Sequence, residues 1–171
     1  MIQIKNAAEL QKMRKACAIS AAALKAGGEA IEPGITTAEI DKIIYDFIVR
    51  HGARPNFLHL YGFPATACIS VNDTVIHGIP NKQQQIRPGD IVSIDTGCKI
   101  DGFNGDNACT YACGKIDLEA QRLLDVTKES LHRGIEMACG GNRVGDIGHA
   151  VQSYVCLLYT SPSPRDGATS R

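Results

Sequence analysis

Residues 91–113 read Ile91-Val92-Ser93-Ile94-Asp95-Thr96-Gly97-Cys98-Lys99-Ile100-Asp101-Gly102-Phe103-Asn104-Gly105-Asp106-Asn107-Ala108-Cys109-Thr110-Tyr111-Ala112-Cys113. The β-branched run Ile91–Ile94 reads as a strand that Asp95 ends. Asp101-Gly102 is the dipeptide of a two-residue hairpin turn, whose two central positions need a positive φ. Asp106 opens the returning strand, and Asn107 to Cys113 continues it. With Asp101-Gly102 at the turn centre, Asp106 falls opposite Gly97 and Asp95 opposite Ala108. Side chains alternate along a strand, so both carboxylates share one face, about 7–8 Å apart at the backbone on the diagonal.

Upstream of the hairpin, Ala67, Ile69 and Val71 form a short β run closed by Asn72-Asp73. Val75 and Ile76 start another, and Gly78, Pro80 and Asn81 break it. Further back the period becomes helical. Asn6 with Glu9, and Thr36 with Glu39, have capping-box spacing. The first helix carries the apolar stripe Leu10, Met13, Cys17, Ala21 and Leu24, with Gly27-Gly28 at its end. The second carries Ile40, Ile43, Ile44, Phe47 and Ile48 and stops at Gly52. Downstream, a helix with Leu123, Leu124, Leu131 and Ile135 runs from Asp117 to Gly140-Gly141, and another begins near Asp146. Helices that flank a block of strands point to an α+β fold.

An internal repeat joins the two helical blocks. At an offset of 107 residues, Ile40, Ile43, Ile44, Phe47 and Ile48 meet Ile147, Ala150, Val151, Tyr154 and Val155. Each copy follows a long helix with a Gly pair at its end. A duplicated unit of helix, helix and sheet is expected, with the second copy stopping before its sheet.

Composition narrows the function classes. Of 171 residues, 44% are apolar and 21% charged, the balance of a globular domain. Eighteen basic and eighteen acidic side chains cancel, so no positive field recruits nucleic acid or anionic lipid. No apolar run reaches the roughly 18 residues of a membrane span, and no basic-then-apolar leader opens the chain. Seven cysteines without a CxxC spacing suit reduced thiols in a cytoplasmic protein.

Two carboxylates on one face repel and raise each other's pKa unless a cation sits between them. Strand-borne oxygens suit one divalent metal, or two sharing a carboxylate, while the spacing alone also fits two solvated aspartates. His77 stands before a Gly-Ile-Pro break at the end of a β run, where a loop can present a catalytic group or merely a solvated one. His51, His59, His132 and His149 lack that context. Cys109 and Cys113 are too far apart on a strand to share a metal, and Cys68 and Cys98 suit buried positions.

Four motifs, Cys68-Ile69-Ser70-Val71-Asn72-Asp73, His77-Gly78-Ile79-Pro80, Gly89-Asp90-Ile91-Val92-Ser93-Ile94-Asp95 and Asp101-Gly102-Phe103-Asn104-Gly105-Asp106, together resemble the type I bacterial methionine aminopeptidases, over about Met1 to Val155. The resemblance implies the pita-bread fold: a curved antiparallel sheet with outer helices, in two pseudo-symmetric halves around a dinuclear metal site. Residues 1–155 would be the first half plus the opening helices of the second, an incomplete catalytic domain without activity of its own. Asp95 corresponds to the chelating ligand of one metal and Asp106 to the carboxylate bridging both. His77 corresponds to the histidine that contacts substrate and stabilises the tetrahedral intermediate. Phe63 and Cys68 match the pocket for the methionine side chain, and Phe57 and Leu60 match more weakly. Three further ligands, a histidine and two glutamates, are expected in the second half-sheet. Asn104 stands where many relatives have a histidine that is not a ligand.

The implied reaction is hydrolytic removal of N-terminal methionine from nascent proteins, with two divalent cations (Co, Mn, Fe or Zn). The expected partners are nascent polypeptide N-termini near the ribosome, met by a cytoplasmic monomer without nucleic acid or membrane. An X-Pro aminopeptidase or prolidase shares the paired aspartates but usually has a large preceding domain. A non-catalytic pita-bread binding protein typically loses metal ligands, and here Asp95, Asp106 and His77 all stand. Residues 156–171 read as a non-native or disordered tail. Cys156 to Asp166 resembles the in-frame translation of a transposase adapter.

Overall fold

The computed structural model describes residues 3–158, in two compact units divided at Ile116/Asp117. The tail expected over 156–171 lies outside the described residues from position 159 onward.

In the first unit, α1 (Ala7–Glu29) and α2 (Thr37–Arg50) begin at the expected capping boxes. The Asn6 and Thr36 side chains accept the N–H groups of Glu9 and Glu39, whose carboxylates accept in return. Short strand β1 (Arg54–Pro55) and then β2 (Ala67–Val71), β3 (Ile91–Ile100) and β4 (Phe103–Ala112) form one antiparallel sheet. β4 pairs along the whole of β3, so β1 and β2 lie end to end on its other edge.

The hairpin has the expected register, with Gly97 opposite Asp106 and Asp95 opposite Ala108. Asp101 and Gly102 have φ of 53° and 85°, the mirror-image turn that matches strand twist. Both strands are longer than their apolar runs. Asp95 and Asp106 therefore sit inside them, where ladder hydrogen bonds carry the strands through Thr96, Gly97 and Lys99 despite weak local propensity. Val75 and Ile76 form no strand. They lie in a loop, 88% and 66% exposed, because the chain turns at Asn72 and crosses back to β2 only at Gly78.

One face of the sheet is buried against helices. Val92, Ile94 and Cys98 of β3 and Ile69 of β2 join Ile40, Ile44 and Ile48 of α2 in a core with almost no exposure. Each such isoleucine contributes about 1.5–3 kcal/mol of burial. Helix α1 contacts β3 and β4, but not through its expected stripe. Leu10, Met13, Cys17 and Ala21 are exposed, and only Leu24 of that set is buried. The buried positions are Ala16, Ser20, Ala23, Leu24, Gly27 and Gly28. Small side chains win because the helix backbone lies close on the sheet. The Cys98 thiol and Ser20 hydroxyl donate to Ala16 O and Thr96 O at 3.5 and 3.1 Å, and Tyr111 Oη donates to Leu24 O at 3.4 Å. Burial pushes the Tyr111 phenol up to about 12.

The second unit holds α3 (Leu118–Met137), capped by Asp117, and α4 (Val144–Leu158). Here too the leucine stripe is not the buried face. Leu131 and Ile135 are exposed, and Val126, Ser130 and Gly134 are buried. The duplication shows in the packing of both units. A Cβ on Gly27 would lie 2.7 Å from Ile44 Cδ1 and 3.5 Å from Ile40 Cγ2. A Cβ on Gly134 would lie 3.0 Å from Val151 Cγ2 and 3.5 Å from Ile147 Cγ2. Each residue of the first crossing meets its counterpart in the second at the same offset of 107 positions. The expected repeat is thus a repeated helix crossing. Its glycine is at the crossing, not at the helix end, since α1 runs through Gly27-Gly28 to Glu29 and α3 stops at Met137.

Candidate active site

The other face of the sheet carries the polar residues. Cross-strand neighbours share a face. Cys68, Asp95 and Ala108 therefore form one row across β2, β3 and β4, with Ser70, Ser93 and Thr110 as the next. Asp106 lies one step further along β4, opposite Gly97. Ser93 and Thr110 share a 2.8 Å hydrogen bond, so that row is internally satisfied.

The acidic pair faces itself across the hairpin. Burial holds the Asp95 carboxyl above its usual range. The Asp106 charge and a hydrogen bond with Asp106 push the same way, and His77 opposes them. Cys68 is 7% exposed. Burial, helped by the charges of Asp95, Asp106 and Asp41, pushes its thiol up to about 11. At neutral pH it is an uncharged, soft wall group rather than a thiolate nucleophile.

Two loops complete the site. After β1, the Asn56 N–H donates to Gly97 O at 2.9 Å, which ties the loop over 56–64 to β3. That loop is wound tightly: His59 and Tyr61 have φ of 67° and 49°, and the N–H groups of Leu60 and Phe63 donate to Phe57 O and Leu60 O. The loop after β2 carries His77 at φ 57°. Between the loops and the sheet lies a cavity of about 430 Å³ lined by Phe57, Leu60, Tyr61, Gly62, Phe63, Pro64, Cys68, His77, Ile79 and Asp95.

Of the residues expected from sequence, Phe63, Cys68, His77 and Asp95 line this one cavity, together with Phe57 and Leu60. Asp106 is not in its lining; it reaches the site through Asp95. Tyr61, Gly62, Pro64 and Ile79 were not singled out. No periodicity marks a loop, although the Tyr-Gly-Phe-Pro run after Leu60 signals a turn that must fold somewhere specific. His59 lies within this loop without lining the cavity. His51 stacks on Phe47, with ring centroids 4.2 Å apart.

The donor chemistry favours a hard divalent cation. Two acidic oxygen donors on rigid strands suit one, and a cation would relieve the repulsion from Asp106 that adds to burial in raising Asp95. Among the described residues no three His, Cys, Asp or Glu side chains form a group that could hold a metal ion by themselves.

Comparisons with known proteins agree with this geometry. Residues 11–159 match metallopeptidase family M24. The chain is 46% identical over 155 residues to the methionine aminopeptidase of Clostridium acetobutylicum and 48% identical to that of Clostridium perfringens. Each match takes in 91% of this chain and 62% of the relative, so the chain spans about three fifths of the length of these curated relatives. Among solved structures, the methionine aminopeptidase of Rickettsia prowazekii superposes with a TM-score of 0.88 at 37% identity, over 91% of this chain and 62% of that one. The prolidase of Pyrococcus furiosus superposes at 0.78 with 20% identity, over 91% and 44%, a likeness of fold alone.

Proposed function

The chain belongs to metallopeptidase family M24, and from that premise we propose that it carries the substrate pocket and two metal ligands of a methionine aminopeptidase. The reaction is hydrolysis of the peptide bond after an N-terminal methionine, on nascent polypeptides in the cytoplasm. The observation that carries this reading is the cavity. An apolar wall of Phe57, Phe63 and Cys68 stands beside His77 and Asp95. That wall fits an unbranched thioether, and the polar groups mark the end where the scissile carbonyl would lie.

Asp95 and Asp106, two carboxylates on one face of the sheet, would hold a divalent cation. When bound, a divalent cation polarises the carbonyl and makes water a stronger nucleophile. The chain's own residues do the rest. Phe63 and Cys68 exclude water from around the methionine side chain. The His77 ring donates a hydrogen bond to the oxygen as negative charge develops on it. The two carboxylates carry the negative charge that selects cations for this face.

The test uses a full-length chain carrying residues 1–155 of this sequence, supplied with manganese or cobalt. Methionine release from Met-Ala-Ser, with no cleavage of an Ala-Pro peptide, is the expected result. Preference for the Ala-Pro bond would assign the chain to the X-Pro peptidases of the same fold. Asp106→Asn should abolish binding of two cations, while His77→Ala should keep metal and lower kcat. Equal metal loss in both variants would overturn the role given to His77.

A further inference from the structure

The position of His77 needs a cause. Its φ of 57° is uncommon for any residue but glycine, although histidine enters that region more readily than most, and its side chain is exposed rather than wedged in a core. A residue in that region is held by its surroundings or it relaxes. The surroundings here are two hydrogen bonds at the next residue. The Gly78 N–H donates to Ser70 Oγ at 3.1 Å, and Gly78 O accepts from Ile69 N at 2.9 Å. The loop thus closes on β2 at a single residue, through the two peptide groups that flank the Gly78 Cα. The fit is tight enough that a Cβ on Gly78 would fall 2.1 Å from Ile69 O.

Ser70 is the side-chain half of this clasp. It is 5% exposed and sits one row from Cys68 and Asp95 on the cavity face of the sheet. It does not line the cavity, so it has no direct path to substrate. We propose that Ser70 is a positioning residue: its hydroxyl fixes the Gly78 amide and thereby holds the His77 ring at the cavity mouth. The inference rests on the function proposed above for that cavity. Ser70 acts through geometry alone, and a displacement of about 1 Å in a group that meets the transition state costs up to roughly 100-fold in rate.

The experiment uses the full-length chain with Ser70→Ala, Ser70→Thr and Gly78→Ala. Ser70→Ala should speed hydrogen exchange of the Gly78 amide by about 10-fold, since one hydrogen bond is lost. It should lower kcat for methionine release by roughly 10- to 100-fold and leave KM within about two-fold. Ser70→Thr keeps the hydroxyl and should restore both. Gly78→Ala pushes the same residue away from Ile69 O and should reproduce the kcat loss without touching Ser70. A Ser70→Ala chain with unchanged Gly78 exchange overturns the proposal, as does a kcat loss that Ser70→Thr shares in full. Unchanged kcat in Gly78→Ala does the same. If the parent chain releases no methionine, the proposed function falls, and Gly78 exchange in Ser70→Ala still decides whether Ser70 holds the peptide.

Discussion

Removing the Asp41 carboxyl should unfold the site from below. Asp41 sits on α2, and its Oδ1 accepts the N–H groups of Thr66 and Ala67 at 2.9 and 2.8 Å. Both donors belong to residues with almost no exposure, 1% and 0%. They lie at the start of β2, immediately before Cys68. Asp41→Ala strands both donors, at about 1–3 kcal/mol each, or about 2–6 kcal/mol in all. That is a large share of the roughly 5–15 kcal/mol by which a domain is stable. Asp41→Asn keeps an acceptor oxygen in place and should cost about 1 kcal/mol or less at acid pH. Charge then separates the two. Burial raises the Asp41 pKa and outweighs the lowering by its two backbone hydrogen bonds. With the folded-state pKa above the unfolded one, the stability linked to its proton is fully present below the unfolded pKa. It is lost as pH rises through the folded pKa. The deficit of Asp41→Asn relative to the parent should therefore shrink, or reverse, between acid and neutral pH. Urea unfolding of all three chains across that range measures it. An Asp41→Ala chain within about 0.5 kcal/mol of the parent, or an Asn deficit that grows with pH, would refute the reasoning.

Three other outcomes are expected. Asp106→Asn should lower the pH at which Cys68 reacts with iodoacetamide in metal-free protein, because one of the charges that raises its thiol is gone. Burial still dominates, so the pKa should stay above that of a free cysteine. Gly27→Ala and Gly134→Ala should both destabilise, by about 1–3 kcal/mol for an overpacked crossing, with Gly27 worse because its contact with Ile44 is the closer. Thermal unfolding would rank them. Finally, the DNA encoding Cys156 to Asp166 should contain TGTCTCTTATACACATCT if that stretch is adapter sequence; a natural gene that continues the same tail through assembled reads would refute that reading.

The hairpin register was legible because Asp101-Gly102 admits one turn geometry, and strand parity then assigns every side chain to a face. The capping boxes at Asn6 and Thr36 were legible for a similar reason: short polar side chains three residues apart have few other uses. The buried face of α1 was not. A stripe such as Leu10-Met13-Cys17 records hydrophobicity, whereas contact with a sheet at close range selects for small size, which Ala16, Ser20 and Gly27 provide. Val75 and Ile76 misled in the opposite way, since β-branched residues favour strands only where a neighbour strand is present. At the site, the shared face of Asp95 and Asp106 followed from parity. The convergence of His77 with Phe63 did not, because it depends on two loops tied to the sheet at a few hydrogen bonds, Asn56 to Gly97 and Gly78 to Ile69 and Ser70, that no periodicity marks.

The small face of α1 has a consequence in time. Its hydrogen-bond partners in β3 and β4 lie 76 to 87 residues further along the chain. At a synthesis rate of about 5–20 residues per second, the helix leaves the ribosome roughly 4 to 17 s before the strands that cover it. A face of leucines would spend that interval as an adhesive surface among other unfinished chains. A face of Ala16, Ser20, Ala23 and Gly27, with Leu24 its one large apolar side chain, offers less to stick to, yet still admits the sheet when it arrives. The residues that permit close packing in the finished unit also make that face of its earliest helix less adhesive while it waits.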